Sequence, residues 1–201
     1  SAKEEPLTTH ADHYNLNAAY SPAVYSKGEV FMEQLGYIVG ASVRDKILLE
    51  YYNQWRFKHP NAADFIRIAE KMSDMKLDWY KEYWISSTKT IDYSIDSLWE
   101  ENGVTNVRIK RNGLMPMPID VQLTFKDGTK EMHYVPLDLM YGAKPIEDKS
   151  VTRKVYEPWH WTSETYIIST AKKLFDFTAV EIDPSQRMAD VERRNNKLEP
   201  K

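Results

Sequence analysis

The sequence has no cysteine among its 201 residues, so neither disulfides nor a thiolate-bound metal can stabilise it. That absence leaves the redox compartment open, since many exported proteins also lack cysteine. No apolar run approaches the ~20 residues needed to span a bilayer. The opening stretch SAKEEPLTTHADHY has no hydrophobic signal region and no starting Met, and it reads as a cut rather than a natural beginning. Charge is nearly balanced: 27 basic against 30 acidic residues give a net charge of −3. A general nucleic-acid binder would show a basic excess or stripe. The sequence also lacks a P-loop, a dinucleotide-binding glycine pattern, a Gly-x-Ser-x-Gly elbow, internal repeats and low-complexity segments.

What is present is enough for a sizeable core, with 42% hydrophobic and 28% charged residues. The first half reads as helices. Val24, Gly28, Phe31, Met32, Leu35, Ile38 and Val39 keep a 3.6-residue period, and Gly40 is placed to stop that helix. Ser42 with Asp45 three residues on predicts a capping box for a second helix. Its stripe is Val43, Ile47, Leu48, Tyr51 and Trp55, ending near His59-Pro60. Asn61 is an apt N-cap for a third helix burying Ala62, Phe65, Ile66, Ala69 and Met72. A short fourth helix faces Leu77, Tyr80, Tyr83 and Trp84 one way.

From about Thr88 the period changes to two. TIDYSIDSLW, VRIKRNG, IDVQLTF, EMHYVPL, TYIIS and DFTAVEI read as strands, and Asp127-Gly128 is a strong hairpin signal. Six or seven short strands with polar turns and scattered prolines predict a β-sandwich. The predicted class is therefore α+β and multidomain: an all-α helical part over 1–90, an all-β sandwich domain over 91–190, and a polar tail over 191–201.

Residues that could carry chemistry are few. His10 and His13 lie at i, i+3, whereas zinc enzymes of the thermolysin type place histidines at i, i+4 with a glutamate between them. They read as surface or capping histidines. His59 suits a helix end, and His133 and His160 show no catalytic partner. Glu70, Asp74 and Asp78 are scattered over polar helix faces. Trp159 and Trp161 could form a ligand platform, or share one strand face and cover a core or interface.

One stretch stands apart. AYSPAVYSKGEVFMEQLGYIVG, Ala19 to Gly40, holds Tyr20, Tyr25, Lys27, Gly28 and Gly40 in a tyrosine, Tyr-x-Lys-Gly, hydrophobic helix, Gly order. It resembles the helix after the zinc site in M1-family metallo-aminopeptidases, the gluzincins similar to aminopeptidase N. The likeness continues downstream. Arg44 to Trp55 resembles the family's Leu-x-x-Tyr helix, and Ala63-Asp64-Phe65 its x-Asp-Phe helix start. LDWYKEYWI resembles its Leu-x-x-Phe/Tyr-x-x-x-Trp segment, and NGLMPMPIDVQLTFKDG the sandwich domain that follows the catalytic one.

The resemblance implies a C-terminal portion of such a peptidase: the end of a thermolysin-like catalytic domain, then the sandwich. Tyr25 matches the catalytic tyrosine whose phenol stabilises the oxyanion, and Tyr20 matches a nearby substrate-binding tyrosine. Lys27 is expected to be structural, and Gly28 to let the backbone approach a neighbour closely. The family's His-Glu-x-x-His, its later glutamate and its Gly-x-Met-Glu-Asn loop do not occur here, and are expected upstream of Ser1. The cofactor implied is thus zinc in the intact parent and none in this chain, which alone is expected to be inactive. Its expected partners are a peptide substrate in the intact enzyme and the missing N-terminal part of the catalytic domain. Nucleic acid and a membrane-spanning segment are not among them. The alternative expectation is a non-catalytic binding or interaction module on the same scaffold.

Overall fold

The computed structural model describes residues 4–146 and 148–200. It shows a mixed α+β chain in two compact units, Ser1–Lys89 with Leu139–Pro145, and Thr90–Asp138 with Ile146–Lys201. Among the described residues no helix is long and apolar enough to cross a membrane.

In the first unit a 3-10 turn, Ala11–His13, precedes α1, Asn17–Ser21. The backbone then continues through a π-helical turn, Pro22–Lys27, into α2, Gly28–Val39. Pro22 explains the widening, because it has no N–H to donate and its ring crowds the carbonyl four residues back. α2 ends at Gly40, whose φ of 89° is a conformation open mainly to glycine.

α3, Ala41–Trp55, follows at once with Gly40 as its N-cap. The capping box expected from Ser42 and Asp45 does not form. The helix starts too early for it, and Asp45 instead accepts from Arg44 Nε at 3.1 Å. Arg44 also reaches Glu33 on α2 at 2.6 Å and lies against Gly36, where a Cβ would come within 3.1 Å of it. The expected α3 stripe is only partly inward: Ile47 is buried, whereas Leu48 is exposed.

α4, Ala62–Ser73, has a complete capping box: Asn61 accepts from Ala63 and Asp64 N–H, and Asp64 accepts from Asn61 N–H. It buries Phe65, Ile66, Ile68 and Ala69, but Met72 points outward. α5, Asp78–Ile85, buries four aromatics, and Tyr80 donates to the Phe31 carbonyl on α2. The Phe31 ring lies 6.0 Å from Phe65 and 5.0 Å from Tyr80, an aromatic centre joining α2, α4 and α5. Leu139–Pro145 completes this unit. The Met140 carbonyl accepts from Lys76 N–H at 2.8 Å, and the Lys144 ammonium sits 3.7 Å from the centre of the Tyr37 ring.

The second unit has two sheets. One holds β1 (Tyr93–Glu101), β2 (Val104–Arg111) and β6 (Thr165–Thr170) in the order β1-β2-β6. The other, in the order β5-β4-β3-β7-β8, holds β3 (Ile119–Phe125), β4 (Lys130–Val135), β5 (Arg153–Val155), β7 (Phe177–Ile182) and β8 (Lys197–Leu198). All pairings are antiparallel except β4 with β5. The β3–β4 hairpin turns at Asp127-Gly128 as read, with Gly128 at φ 81°. Alternation supplies the core, since Val107, Ile109, Val121, Leu123, Ile168 and Val180 are fully buried.

The segment read as a polar tail over 191–201 is built in. Asn196 is buried, its carbonyl accepts from Ile182 N–H at 2.8 Å, and β8 pairs with β7. Trp159 and Trp161 do not share a face. Trp159 is buried against Tyr93 and Tyr166, while Trp161 lies outside any strand and is exposed.

Candidate functional site

Tyr25 lies in the π-helical turn just before α2, 69% exposed; its carbonyl accepts from Gly28 N–H, and its hydroxyl makes no hydrogen bond to another described residue. Its neighbour Lys27 fixes that turn. The ammonium donates to Glu4 at 2.9 Å and to the Ser87 carbonyl just beyond α5 at 2.8 Å. A lysine expected to be structural thus ties the turn to two distant segments. Tyr20 is half-buried, its ring edge-on to Tyr14 at 5.3 Å, and no hydrogen bond joins it to Tyr25. Gly28 does not act as expected, because a Cβ there would meet nothing within 4 Å in this chain.

The described residues do not fit a zinc site. Among those described, no group of three or more His, Asp or Glu is placed to hold a metal. His10 caps the 3-10 turn, accepting from Asp12 N–H at 3.2 Å, with its ring 5.1 Å from that of His13. His160 pairs with Asp138 at 3.1 Å on the surface, and His59 is exposed.

His133, read as having no catalytic partner, is enclosed by two hydrogen-bonding side chains in the structure. It is only 1% exposed on β4, with Nε2 3.0 Å from the Glu131 carboxylate and Nδ1 2.8 Å from the Tyr156 hydroxyl. The Tyr156 hydroxyl also lies 2.8 Å from the Ser169 carbonyl and accepts from Ser169 N–H at 2.9 Å. This links β4 to β6, which belongs to the other sheet. Proton positions follow from the acceptors. In the neutral imidazole, Nε2–H donates to Glu131, so Nδ1 accepts from Tyr156. Protonation would make Nδ1 a donor and turn the Tyr156 O–H toward the Ser169 carbonyl. Burial pushes the His133 pKa down, Glu131 opposes that through its hydrogen bond and charge, and the Lys154 charge adds to the depression. Glu131 and His133 at i, i+2 on one strand were a legible pairing. Tyr156, 23 residues away, was not.

Compared with known protein families and with characterised proteins, the chain matches none.

Proposed function

We propose that the chain is the C-terminal portion of an M1-family zinc aminopeptidase, which removes N-terminal residues from peptides. In this reading the helical unit is the end of a thermolysin-like catalytic domain, and the two sheets form the sandwich domain that follows it. The observation that carries the reading is the state of the Tyr-x-Lys-Gly tyrosine. Tyr25 stands exposed on a π-helical turn that Lys27 ties to Glu4 and Ser87, so its phenol is held outward yet bonded to no described residue. π-Turns within helices are frequent at functional sites, and this one has a packing cause in Pro22.

The chemistry asked of Tyr25 is limited. A neutral phenol donates a hydrogen bond to the oxygen that becomes negative when a peptide carbonyl is attacked. Removing one such donor typically costs ~10²–10³ in rate. The zinc, the base and the nucleophile belong to residues outside this chain, and Tyr20 would line the substrate pocket. The test is Tyr25→Phe in the parent protein, with kcat expected to fall by about that factor. A fall of less than a few-fold would refute the role.

A second reading, a non-catalytic interaction module, is favoured by the outer face of α3. Leu49 and Tyr52, at i, i+3, are 61% and 59% exposed, and Phe57 beyond them is 99% exposed. In the first reading that face belongs against the rest of the catalytic domain. The coding sequence upstream of Ser1 separates the two: His-Glu-x-x-His and Gly-x-Met-Glu-Asn favour the enzyme, and their loss favours the module.

A further inference from the structure

The second unit contains a cleft of about 840 Å³ between the β3–β4 turn, the segment leading into β5, and the end of β6. Three lysines line it from three separate pieces of chain: Lys130 at the start of β4, Lys154 on β5 and Lys172 just past β6. Five hydroxyl residues share the lining, Thr129, Ser150, Thr152, Ser169 and Thr170. Among the described residues of that lining Glu131 is the one carboxylate, and its Oε2 already faces His133.

Two of the three cations are held in place. Lys154 donates to the Ser169 carbonyl at 2.9 Å and lies 4.8 Å from the centre of the Tyr156 ring. Lys172 pairs with Asp127 at 3.2 Å and lies 5.0 Å from the centre of the Phe125 ring. An ammonium has three donors, so each keeps capacity for a further acceptor. Two carboxylates adjoin the lining in sequence. Asp127 accepts from the Thr129 N–H and hydroxyl as well as from Lys172, and Asp148 accepts from the Ser150 N–H and hydroxyl. Those bonds hold both carboxylates below their ordinary pKa, Asp127 at about 2, so both stay ionised with oxygens turned to donors of their own turns.

We propose that this cleft binds a phosphorylated or sulfated polyol, its tetrahedral anion among the lysines and its hydroxyls against the Ser and Thr side chains. The anion follows from three lysines lining one cleft, two of them held in place. The polyol follows from the rest of the lining, since the cleft far exceeds a bare phosphate and is rich in groups that both donate and accept. The proposal is independent of the peptidase reading, which concerns the other unit.

The test is an NMR titration of the whole chain at low ionic strength, where charge pairs are least screened. It follows the His133 ring and the Thr129 and Ala171 amides while adding inorganic phosphate, glucose 6-phosphate or glucose. Saturable shifts with glucose 6-phosphate at a Kd of ~1 mM or tighter are expected, with inorganic phosphate ~10-fold weaker and glucose without effect. Lys130→Gln combined with Lys172→Gln should weaken glucose 6-phosphate by ~10-fold or more, with the amide spectrum otherwise unchanged. Equal affinity for phosphate and the sugar phosphate would mean an adventitious ion only. No saturation by ~10 mM, equal binding of glucose, or indifference to the lysine changes would equally overturn the proposal.

Discussion

Tyr156→Phe removes one oxygen and keeps the ring, which makes it the sharpest probe of the strand-rich unit. The lost hydroxyl serves three groups: His133 Nδ1 at 2.8 Å, the Ser169 carbonyl at 2.8 Å and Ser169 N–H at 2.9 Å. Lys154 still donates to the Ser169 carbonyl, so that acceptor keeps a partner. His133 Nδ1 and Ser169 N–H are left without this one. Leaving a buried polar group unsatisfied costs ~1–3 kcal/mol, and partial access of water to the Ser169 side lowers its share. A loss of ~2–3 kcal/mol follows. With a urea m-value of about 2 kcal/mol per molar, the unfolding midpoint should fall by ~1 M at unchanged m. Urea unfolding at neutral pH, followed by tryptophan fluorescence, measures this directly. A double-mutant cycle with His133→Phe should return a coupling of ~1 kcal/mol or more, since the two groups share a bond. A loss under ~0.5 kcal/mol with no coupling would show that the phenol does not hold β4 to β6.

Protonation, backbone strain and metal content give further outcomes. His133 has a folded pKa below its unfolded value near 6.5, so its contribution to stability is full above that value. It is lost as pH falls from about 6.5 to the folded pKa, because the unfolded chain takes up the proton first. The urea midpoint should therefore drop on acidification through this window, and His133→Gln should flatten that portion of the profile. Gly40→Ala would place a side chain at φ 89° with its Cβ 3.1 Å from Pro145, and should lower stability by ~1–2 kcal/mol in the same assay. The dialysed chain should carry no stoichiometric zinc by elemental analysis and release no product from aminoacyl substrates. One tightly bound zinc would contradict the ligand reading of its histidines.

Periodicity sufficed where one face is buried and the other wet. α4 announced itself through Asn61 and Phe65-Ile66, and β3 with β4 through alternation around Asp127-Gly128. It failed where tertiary context decides. α3 carries Leu48 and Leu49 outward, a choice no local pattern encodes. Ser42 and Asp45 had the capping spacing, but Gly40 at positive φ let the helix begin two residues sooner. β5 and β8, three and two residues long, are too short to show a period and exist only by pairing. At the candidate sites, Tyr25 was found through its neighbourhood rather than its own chemistry. The His133 network stayed hidden because Tyr156 and Ser169 are brought to it by the sheet, not by the sequence.

The short excursion Leu139–Pro145 has a consequence for synthesis. The helices end near residue 85, yet their unit is finished only when Met140 and Lys144 arrive to accept from Lys76 and to cover the Tyr37 ring. On a translating ribosome, growing at ~5–20 residues per second, the helical segment therefore waits several seconds for its final piece. During that interval the first four strands emerge. A nascent chain stopped at residue 90 would hold every helix and still lack a finished unit, with Tyr37 uncapped and the Lys76 amide unpaired.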